Sequence, residues 1–183
     1  MATRRLFIAI PLPDSVRKQL TSLYEPIRGI VWTRPEQLHL TLRFLGEVDE
    51  SLVAPLEDSL TTVRVEPFLL PVEGTGSFPL RGPARVVWVG IGAGHPRLYQ
   101  LRQQLDDALL STGLALDVRT FHPHVTLARV KDEVAPGAIA EFVKRHRNFG
   151  AAPFHAGAIH LYASELRPNG AVHTLQRSFP LQS

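Results

Sequence analysis

Cysteine is absent from the 183-residue sequence, so no disulfide bond and no thiolate metal site can form. This composition fits a reducing compartment, and we expect the protein to be cytoplasmic. The apolar run Leu6–Leu12 is broken by Pro11 and is too short for a signal peptide. No stretch approaches the roughly 20 apolar residues of a membrane-spanning helix. We therefore expect no membrane partner.

Lysine is scarce, with 3 residues against 17 arginines, and the formal net charge is only +3. This charge is too small and too dispersed for a protein that coats nucleic acid. The guanidinium fork of arginine does match the geometry of a phosphate group. A coding preference for arginine explains the total, so we interpret only particular arginine positions functionally.

Two near-identical motifs of the pattern His-x-Thr-x stand out in the sequence. They are His39-Leu40-Thr41-Leu42, the first motif, and His124-Val125-Thr126-Leu127, the second motif. Side chains of a β-strand alternate between its faces, so the His and Thr of each motif share one face and the apolar residues the other. By chance alone, two such motifs arise in about one sequence in a hundred of this composition. Each motif therefore presents a polar pair from an apolar scaffold.

The same order of elements, strand, helix, motif strand and helix, surrounds both motifs, at residues 6–63 and 84–147. This repetition predicts an α+β fold, with two sheets related by a pseudo-twofold axis, antiparallel in type, helices outside them and a central cleft between the motifs. We expect residues 1–183 to form one bilobal domain. The predicted strands cover residues 5–10, 38–45, 68–72, 84–91, 121–130, 154–162 and 171–179. The predicted helices run from Pro13 to Gly29, from a cap at Asp49 or Ser51 to Val63, from Pro96 to Gly113, and from a cap at Asp132 through residues 138–147. Residues 73–83 are predicted to form a loop, and Arg167-Pro168-Asn169-Gly170 a turn.

Two facing imidazoles suit general acid–base catalysis, because histidine titrates near neutral pH and one ring can hold a proton while the other lacks one. In-line displacement at phosphorus needs this arrangement, and threonine hydroxyls can donate hydrogen bonds to the non-bridging oxygens. The guanidinium group of an arginine could also bind the phosphate. Strand alternation points Arg43 into the cleft beside His39 and Thr41, whereas Arg129 falls on the opposite face from His124 and Thr126.

A metal site is the alternative use of these histidines. His122 and His124 lie two residues apart and, together with His39, could ligate one ion. Pro123 distorts a strand between the first two, and no carboxylate lies beside the centre of either motif. We therefore expect no metal and interpret His122 as a residue at the rim of the cleft that contacts the substrate.

Longer segments around both motifs carry a family resemblance. Trp32-x-x-Pro35-Glu36-x-Leu38-His39-Leu40-Thr41-Leu42-Arg43-Phe44-Leu45-Gly46 resembles the first signature of the two-histidine phosphoesterase superfamily. Arg119-x-Phe121-x-Pro123-His124-Val125-Thr126-Leu127-Ala128-Arg129 resembles the second. The branch most similar is that of the RNA 2′,3′-cyclic phosphodiesterases, historically called 2′-5′ RNA ligases, and the likeness covers nearly the whole chain.

The resemblance implies cofactor-free hydrolysis of an RNA 2′,3′-cyclic phosphate to a 2′-phosphomonoester. It implies that His39 donates a proton to the leaving 3′ oxygen and that His124 activates water. Thr41, Thr126 and Arg129 would hold the phosphate, which conflicts with the alternation argument for Arg129.

Base stacking in relatives often involves a Tyr near the position of His173, so we consider other aromatic residues here. The candidates are Phe121, Tyr162 and Trp32. The expected partners are RNA ends or nucleotides with a 2′,3′-cyclic phosphate, and a monomer is expected. The alternatives are a 2′-5′ RNA ligase, a phosphodiesterase for another small cyclic phosphate, and a non-catalytic module that binds RNA or a nucleotide.

Overall fold

The computed structural model describes residues 2–115, 117–168 and 170–183. In chain order, the elements are β1 Thr3–Pro11, α1 Asp14–Thr21, β2 Ile30–Trp32, a 3₁₀ turn Pro35–Gln37, β3 His39–Asp49, α2 Glu50–Leu60, β4 Phe68–Phe78, β5 Val86–Ile91, α3 Pro96–Leu110, β6 His124–Val130, α4 Ala138–His146, β7 Gly150–Ala156, β8 Ala158–Arg167 and β9 Gly170–Pro180. Asn169 of the predicted turn lies outside the described residues. Among the described helices, none is long and apolar enough to cross a membrane.

All strand pairs are antiparallel, in the order β7-β4-β5-β6-β3-β1-β8-β9, with β2 paired to β6. The predicted α+β class is confirmed. The two expected sheets are the two halves of one continuous sheet, β7-β4-β5-β6 and β3-β1-β8-β9. They meet where β3 pairs with β6 at Leu40 and Val125. Since these residues are the second positions of the two motifs, the junction of the halves is also the place where the motifs meet.

The helices cover the apolar face of the sheet and leave the motif face open. Helix α2 packs against β3 and α3, whereas α1 packs against β7 and α4 against β4. Along β3 the burial alternates as predicted, with Leu40 and Leu42 buried and His39 and Thr41 only partly so. The same alternation holds along β6 from His124 to Leu127. The core therefore forms beneath both motifs and holds their polar residues in place from below.

The boundary of β4 differs from the prediction. Residues 73–78 continue the strand rather than forming a loop. The strand passes through a bulge at Gly74, which has a φ of +74° that favours glycine. Further along, a side chain at Gly76 would collide with the indole of Trp88 on β5, so glycine allows these two strands to approach closely. The glycines that suggested a loop are therefore used within a pair of strands.

Four other boundaries are informative. The predicted strand 154–162 is two strands that break at Gly157. The expected cap at Asp49 is confirmed, because its carboxylate accepts a hydrogen bond of 2.8 Å from the backbone of Ser51. The expected cap at Asp132 is wrong, since α4 begins after Gly137 and the Asp132 carboxylate accepts instead from the backbone of Glu133. Helix α1 ends at Thr21, earlier than the predicted Gly29.

Replacing Leu40 at the junction with Ala should lower the free energy of unfolding by about 2–5 kcal/mol, because the leucine is fully buried where the two halves join. Denaturant titration measures this change. The matched control is Leu69→Ala on β4, whose side chain is 59% exposed and whose truncation should change stability by less than about 0.5 kcal/mol. Equal effects of the two substitutions would contradict a rigid junction at Leu40.

Candidate active site

The two motifs line one large cleft on the open face of the sheet, with a volume of about 1380 Å³. His39, Thr41, His124 and Thr126 all contribute to its wall. Leu40 pairs with Val125 in an antiparallel register, which places each histidine next to the threonine of the other motif. The four predicted polar residues are thus brought together at one place.

Both imidazoles are oriented by the same backbone interaction. Nδ1 of His39 lies 2.6 Å from the carbonyl oxygen of Gln37, and Nδ1 of His124 lies 2.5 Å from that of His122. A carbonyl oxygen only accepts, so Nδ1 carries the proton and donates it in both rings. Nε2 is therefore left with a lone pair in each neutral imidazole. This arrangement gives the cleft two equivalent ring nitrogens that can each accept or hold a proton.

Burial disfavours the charged form of both rings. It lowers the pKa of His39 from 6.5 to about 4, against the opposing effect of the hydrogen bond to Gln37, and the positive charges of His173 and Arg129 add to the lowering. Burial also lowers the pKa of His124, again with a contribution from Arg129. The ring of His39 packs 4.9 Å from that of Phe7. Without an anion in the cleft, both histidines are therefore neutral at pH 7.

A bulge brings Arg129 into the cleft, where alternation had excluded it. Between β5 and β6 the register shifts by one residue, since Trp88 pairs with Thr126 but Val87 pairs with Ala128. Leu127 and Ala128 are consequently both buried, and the next residue, Arg129, is exposed and lines the cleft. Its charge depresses the pKa values of three histidines of the cleft, His39, His124 and His173.

The expectation that Arg43 points into the cleft is wrong. A matching shift between β1 and β3 buries both Leu42 and Arg43. The Arg43 guanidinium donates to Asp106 Oδ1 at 3.0 Å and to the Ala115 carbonyl at 2.5 Å, and it lies 3.7 Å from Asp117 Oδ2. Arg43 is only 6% exposed and does not line the cleft. Its partners hold α3 and the segment before the second motif against the back of β3.

The two motif strands share one burial pattern but differ in the residue that comes after the bulge. From the histidine onward, residues 39–45 and 124–130 have the same sequence of partly buried, buried and exposed positions. In this alignment Phe44 corresponds to Arg129, and both are exposed in the cleft. One half of the cleft therefore carries an aromatic ring, 48% exposed, where the other half carries a cation.

Of the other aromatic candidates, Phe121 and Trp32 line the cleft and Tyr162 does not. Phe121 and His122 line the cleft as predicted, and the Arg102 guanidinium lies 5.6 Å from the centre of the Phe121 ring. Trp32 lines the cleft, but Tyr24 stacks on its ring at 4.4 Å. Tyr162 stacks on Phe7 at 5.2 Å and is absent from the cleft wall.

Several residues of the cleft were not identified from the sequence. They are Phe7, Arg34, Phe44 and Lys131. No sequence signal singles out these four residues, because they come from strands and turns far apart in the chain. His173, considered above only as the position where relatives often carry a Tyr, also lines the cleft, and its ring lies 5.5 Å from that of His39 in an edge-on arrangement. Among the described residues, no group of three or more His, Asp or Glu side chains is arranged to hold a metal ion.

Comparison with known proteins identifies the family. A sequence model of LigT-like phosphoesterases matches residues 10–88 and 91–173. The chain belongs to the LigT-like phosphoesterase family. A protein of Archaeoglobus fulgidus, named RNA 2′,3′-cyclic phosphodiesterase, is 32% identical over 178 residues, which are 96% of this chain and 99% of that protein. The resemblance inferred from the two motifs is thus confirmed.

Solved structures of this family share the fold. The protein TT0787 of Thermus thermophilus superposes with a TM-score of 0.81 at 30% identity, over 98% of both chains. Escherichia coli LigT in complex with 3′-AMP superposes with a TM-score of 0.80 at 28% identity, over 100% of both chains. The family fold thus extends over the full length of this chain.

Replacing Arg43 with Met should destabilise the protein by about 3 kcal/mol, since Asp106 and Asp117 would lose a buried partner while Arg102 remains beside them. Denaturant titration measures the loss. The control is Arg97→Met, whose ion pair with Glu66 is largely exposed and should contribute less than about 1 kcal/mol. If Arg43→Met left the stability unchanged and raised KM, that result would instead favour the expected contact between Arg43 and the substrate.

Proposed function

We propose that this protein hydrolyses 2′,3′-cyclic phosphates at RNA ends to 2′-phosphomonoesters, with His39 and His124 as acid and base. The observation that carries the proposal is the pair of imidazoles in one cleft, each bound through Nδ1 to a backbone carbonyl and each with Nε2 left for proton transfer. Membership of the phosphoesterase family and the cyclic phosphodiesterase relatives give the reaction class. The residue roles are our own proposal.

The reaction needs one proton removed and one supplied. Nε2 of His124 accepts a proton from water as its oxygen attacks phosphorus, and the bond from phosphorus to the 3′ oxygen breaks on the opposite side. His39 donates its Nε2 proton to that oxygen, and the phosphate remains on the 2′ oxygen. Each proton transfer contributes roughly 10²–10⁴ in rate. In the reverse direction the two histidines exchange roles.

The phosphate itself is held by neutral and cationic donors. Thr41 and Thr126 extend from the same strand faces as the histidines, so their hydroxyls can donate to the non-bridging oxygens. Arg129 supplies a positive charge beside them, and it lies close enough to both histidines to depress their pKa values. A bound phosphodiester anion offsets this effect and raises the pKa of His39, which lets the ring carry the proton that the leaving oxygen requires.

We further propose that residues 1–183 act as one phosphoesterase domain. The support is the continuous sheet, in which the two motifs belong to different halves, and the family match on both sides of residues 89–90. Phe121 and His122, on the wall of the cleft, are the proposed contacts to the nucleoside. A monomeric state and a cytoplasmic location stay predictions.

Replacing His39 or His124 with Ala should each lower kcat for a 2′,3′-cyclic nucleotide by roughly 10²–10⁴, because each variant lacks one proton-transfer group. Product analysis in the presence of EDTA should show only the 2′-phosphate for the unmodified protein. The control is His155→Ala, an exposed histidine of β7 outside the cleft, which should keep full activity.

The outcomes of this assay separate the alternatives. A 3′-phosphate product would show that the 2′ oxygen leaves, and not the proposed 3′ oxygen. Rates within tenfold of normal for both histidine variants would reject the two-histidine mechanism. No turnover by the unmodified protein, together with retained nucleotide binding, would favour the non-catalytic module.

The pH dependence should differ between free and occupied protein. In the free cleft burial lowers the pKa values of both histidines below 6.5, so kcat/KM should already be falling as the pH rises through neutrality. In the complex the phosphate anion raises the pKa of His39, so the alkaline limb of kcat should lie at higher pH than that of kcat/KM. Steady-state profiles for a cyclic nucleotide measure both limbs, whose apparent values belong to the coupled histidines. Coincident alkaline limbs of kcat and kcat/KM would contradict the proposal that the bound substrate favours protonation of His39.

A further inference from the structure

The wall of the cleft is far more positive than the chain as a whole. Its charged residues are Arg5, Arg34, Arg102, Arg119, Arg129, Lys131 and Arg167, together with the single acidic residue Asp117. The net formal charge of the whole sequence is only +3. Positive charge is thus concentrated where the substrate binds, and it exceeds what one cyclic phosphate, with a single negative charge, requires.

Part of this charge is already neutralised within the protein. Arg119 donates to Asp117 at 2.8 Å, Arg102 also lies beside Asp117, and Arg167 donates to Glu165 at 2.9 Å. These three cations therefore have anionic partners without a ligand.

The other four cations, Arg5, Arg34, Arg129 and Lys131, form no ion pair within residues 2–115, 117–168 and 170–183. Arg5 is directly opposite Glu47 in the register of β1 and β3.

The remaining three cations lie together on one side of the cleft. Arg129 is the penultimate residue of β6 and pairs with Val31 of β2, and Lys131 is the first residue after β6. The chain leaves β2 through Thr33, whose backbone N–H donates to Leu127 at 2.7 Å and whose hydroxyl donates to Thr126 at 2.9 Å. Arg34 follows directly. We call Arg34, Arg129 and Lys131 the cationic wing.

Among the described residues, the opposite half of the cleft carries only one counterpart of this wing. With the offset of the two motif strands, Phe44 replaces Arg129 and Gly46 replaces Lys131, and both residues line the cleft. The counterpart of Arg34 is Arg119, whose charge is paired with Asp117. The repeat therefore keeps the shape of the wall while its charge differs. A symmetric requirement for phosphate at the centre does not explain a cationic wing on one side only.

We propose that Arg34 and Lys131 bind the backbone phosphates of the strand that leads 5′ from the terminal nucleotide, which makes an oligonucleotide end a better substrate than a free cyclic nucleotide. This proposal rests on the proposed function. Arg129 beside the motifs serves the reacting phosphate, and the next two cations then match the phosphates that only a longer strand supplies. Lysine and arginine side chains that contact phosphate do not recognise the base, so the preference for an oligonucleotide should depend on its length and not on its sequence.

The test compares a 2′,3′-cyclic mononucleotide with a trinucleotide that ends in the same cyclic phosphate. We expect the unmodified protein to have the higher kcat/KM for the trinucleotide. The double variant Arg34→Ala/Lys131→Ala should lower that value about tenfold and should reduce the mononucleotide value much less. The slope of log KM against log salt for the trinucleotide should fall by about 0.7 for each phosphate whose cation is removed.

Two controls accompany the comparison of the trinucleotide with the mononucleotide. Lys144→Ala removes an exposed lysine of α4 outside the cleft and should leave the trinucleotide preference and its salt slope unchanged. A trinucleotide with two 5′ deoxynucleotides should keep the preference, because the contacts are to phosphate. Equal kcat/KM for the mononucleotide and trinucleotide, or equal losses in Lys144→Ala and the double variant, would overturn the proposal. Failure of the unmodified protein to hydrolyse the mononucleotide would instead contradict the proposed function.

Discussion

Each motif strand contains one extra residue directly after its His-x-Thr pair, and this bulge decides which side chains reach the cleft. Before the bulge, strict alternation keeps the histidine and threonine on the open face and the apolar residues in the core. At the bulge, two successive residues turn inward, so the following residue returns to the cleft. Arg43 is buried and Arg129 is exposed for this one reason. A regular strand would exchange their positions, which would remove the cation of Arg129 from the cleft and leave Asp106 and Asp117 without the buried Arg43.

The distribution of paired and unpaired charge results from the same geometry. Arg43 is surrounded by carboxylates and a carbonyl group, so its charge holds the structure together. Arg129 has no such compensation among the described residues, and its field acts on the partly buried histidines, whose pKa values are already lowered by burial. The cleft by itself therefore favours neutral imidazoles beside a cation, which is an unbalanced charge state. In the proposed mechanism a phosphodiester anion restores the balance, which couples substrate binding to protonation of His39 as the proposed acid.

The sequence was most informative where a pattern is local. Alternation within His39–Leu42 and His124–Leu127 predicted the burial of these residues correctly, and the repeated order of elements predicted two similar halves. Prediction failed where a single residue changes the register, as at Arg43, because a bulge has no distinct signal in one sequence. It failed again at residues 73–78, since glycines that permit a close approach of two strands have the same composition as a loop. The contributions of His173 and Arg34 depend on strand order across the sheet, which periodicity does not contain.

The pseudo-twofold symmetry of the motifs does not determine the orientation of the substrate in the cleft. Two equivalent histidines, each bound to a carbonyl two residues before it, do not by themselves determine which one faces the leaving oxygen. The substrate must be oriented by features that break the symmetry. The strongest such feature is the contrast between Phe44 and Arg129 at corresponding positions, extended by Lys131 and Arg34 on the cationic side. In the proposed mechanism, an RNA strand whose backbone runs along the cationic wing enters the cleft in one direction only. The direction of the RNA would then set the roles of His39 and His124, although the two rings are held alike.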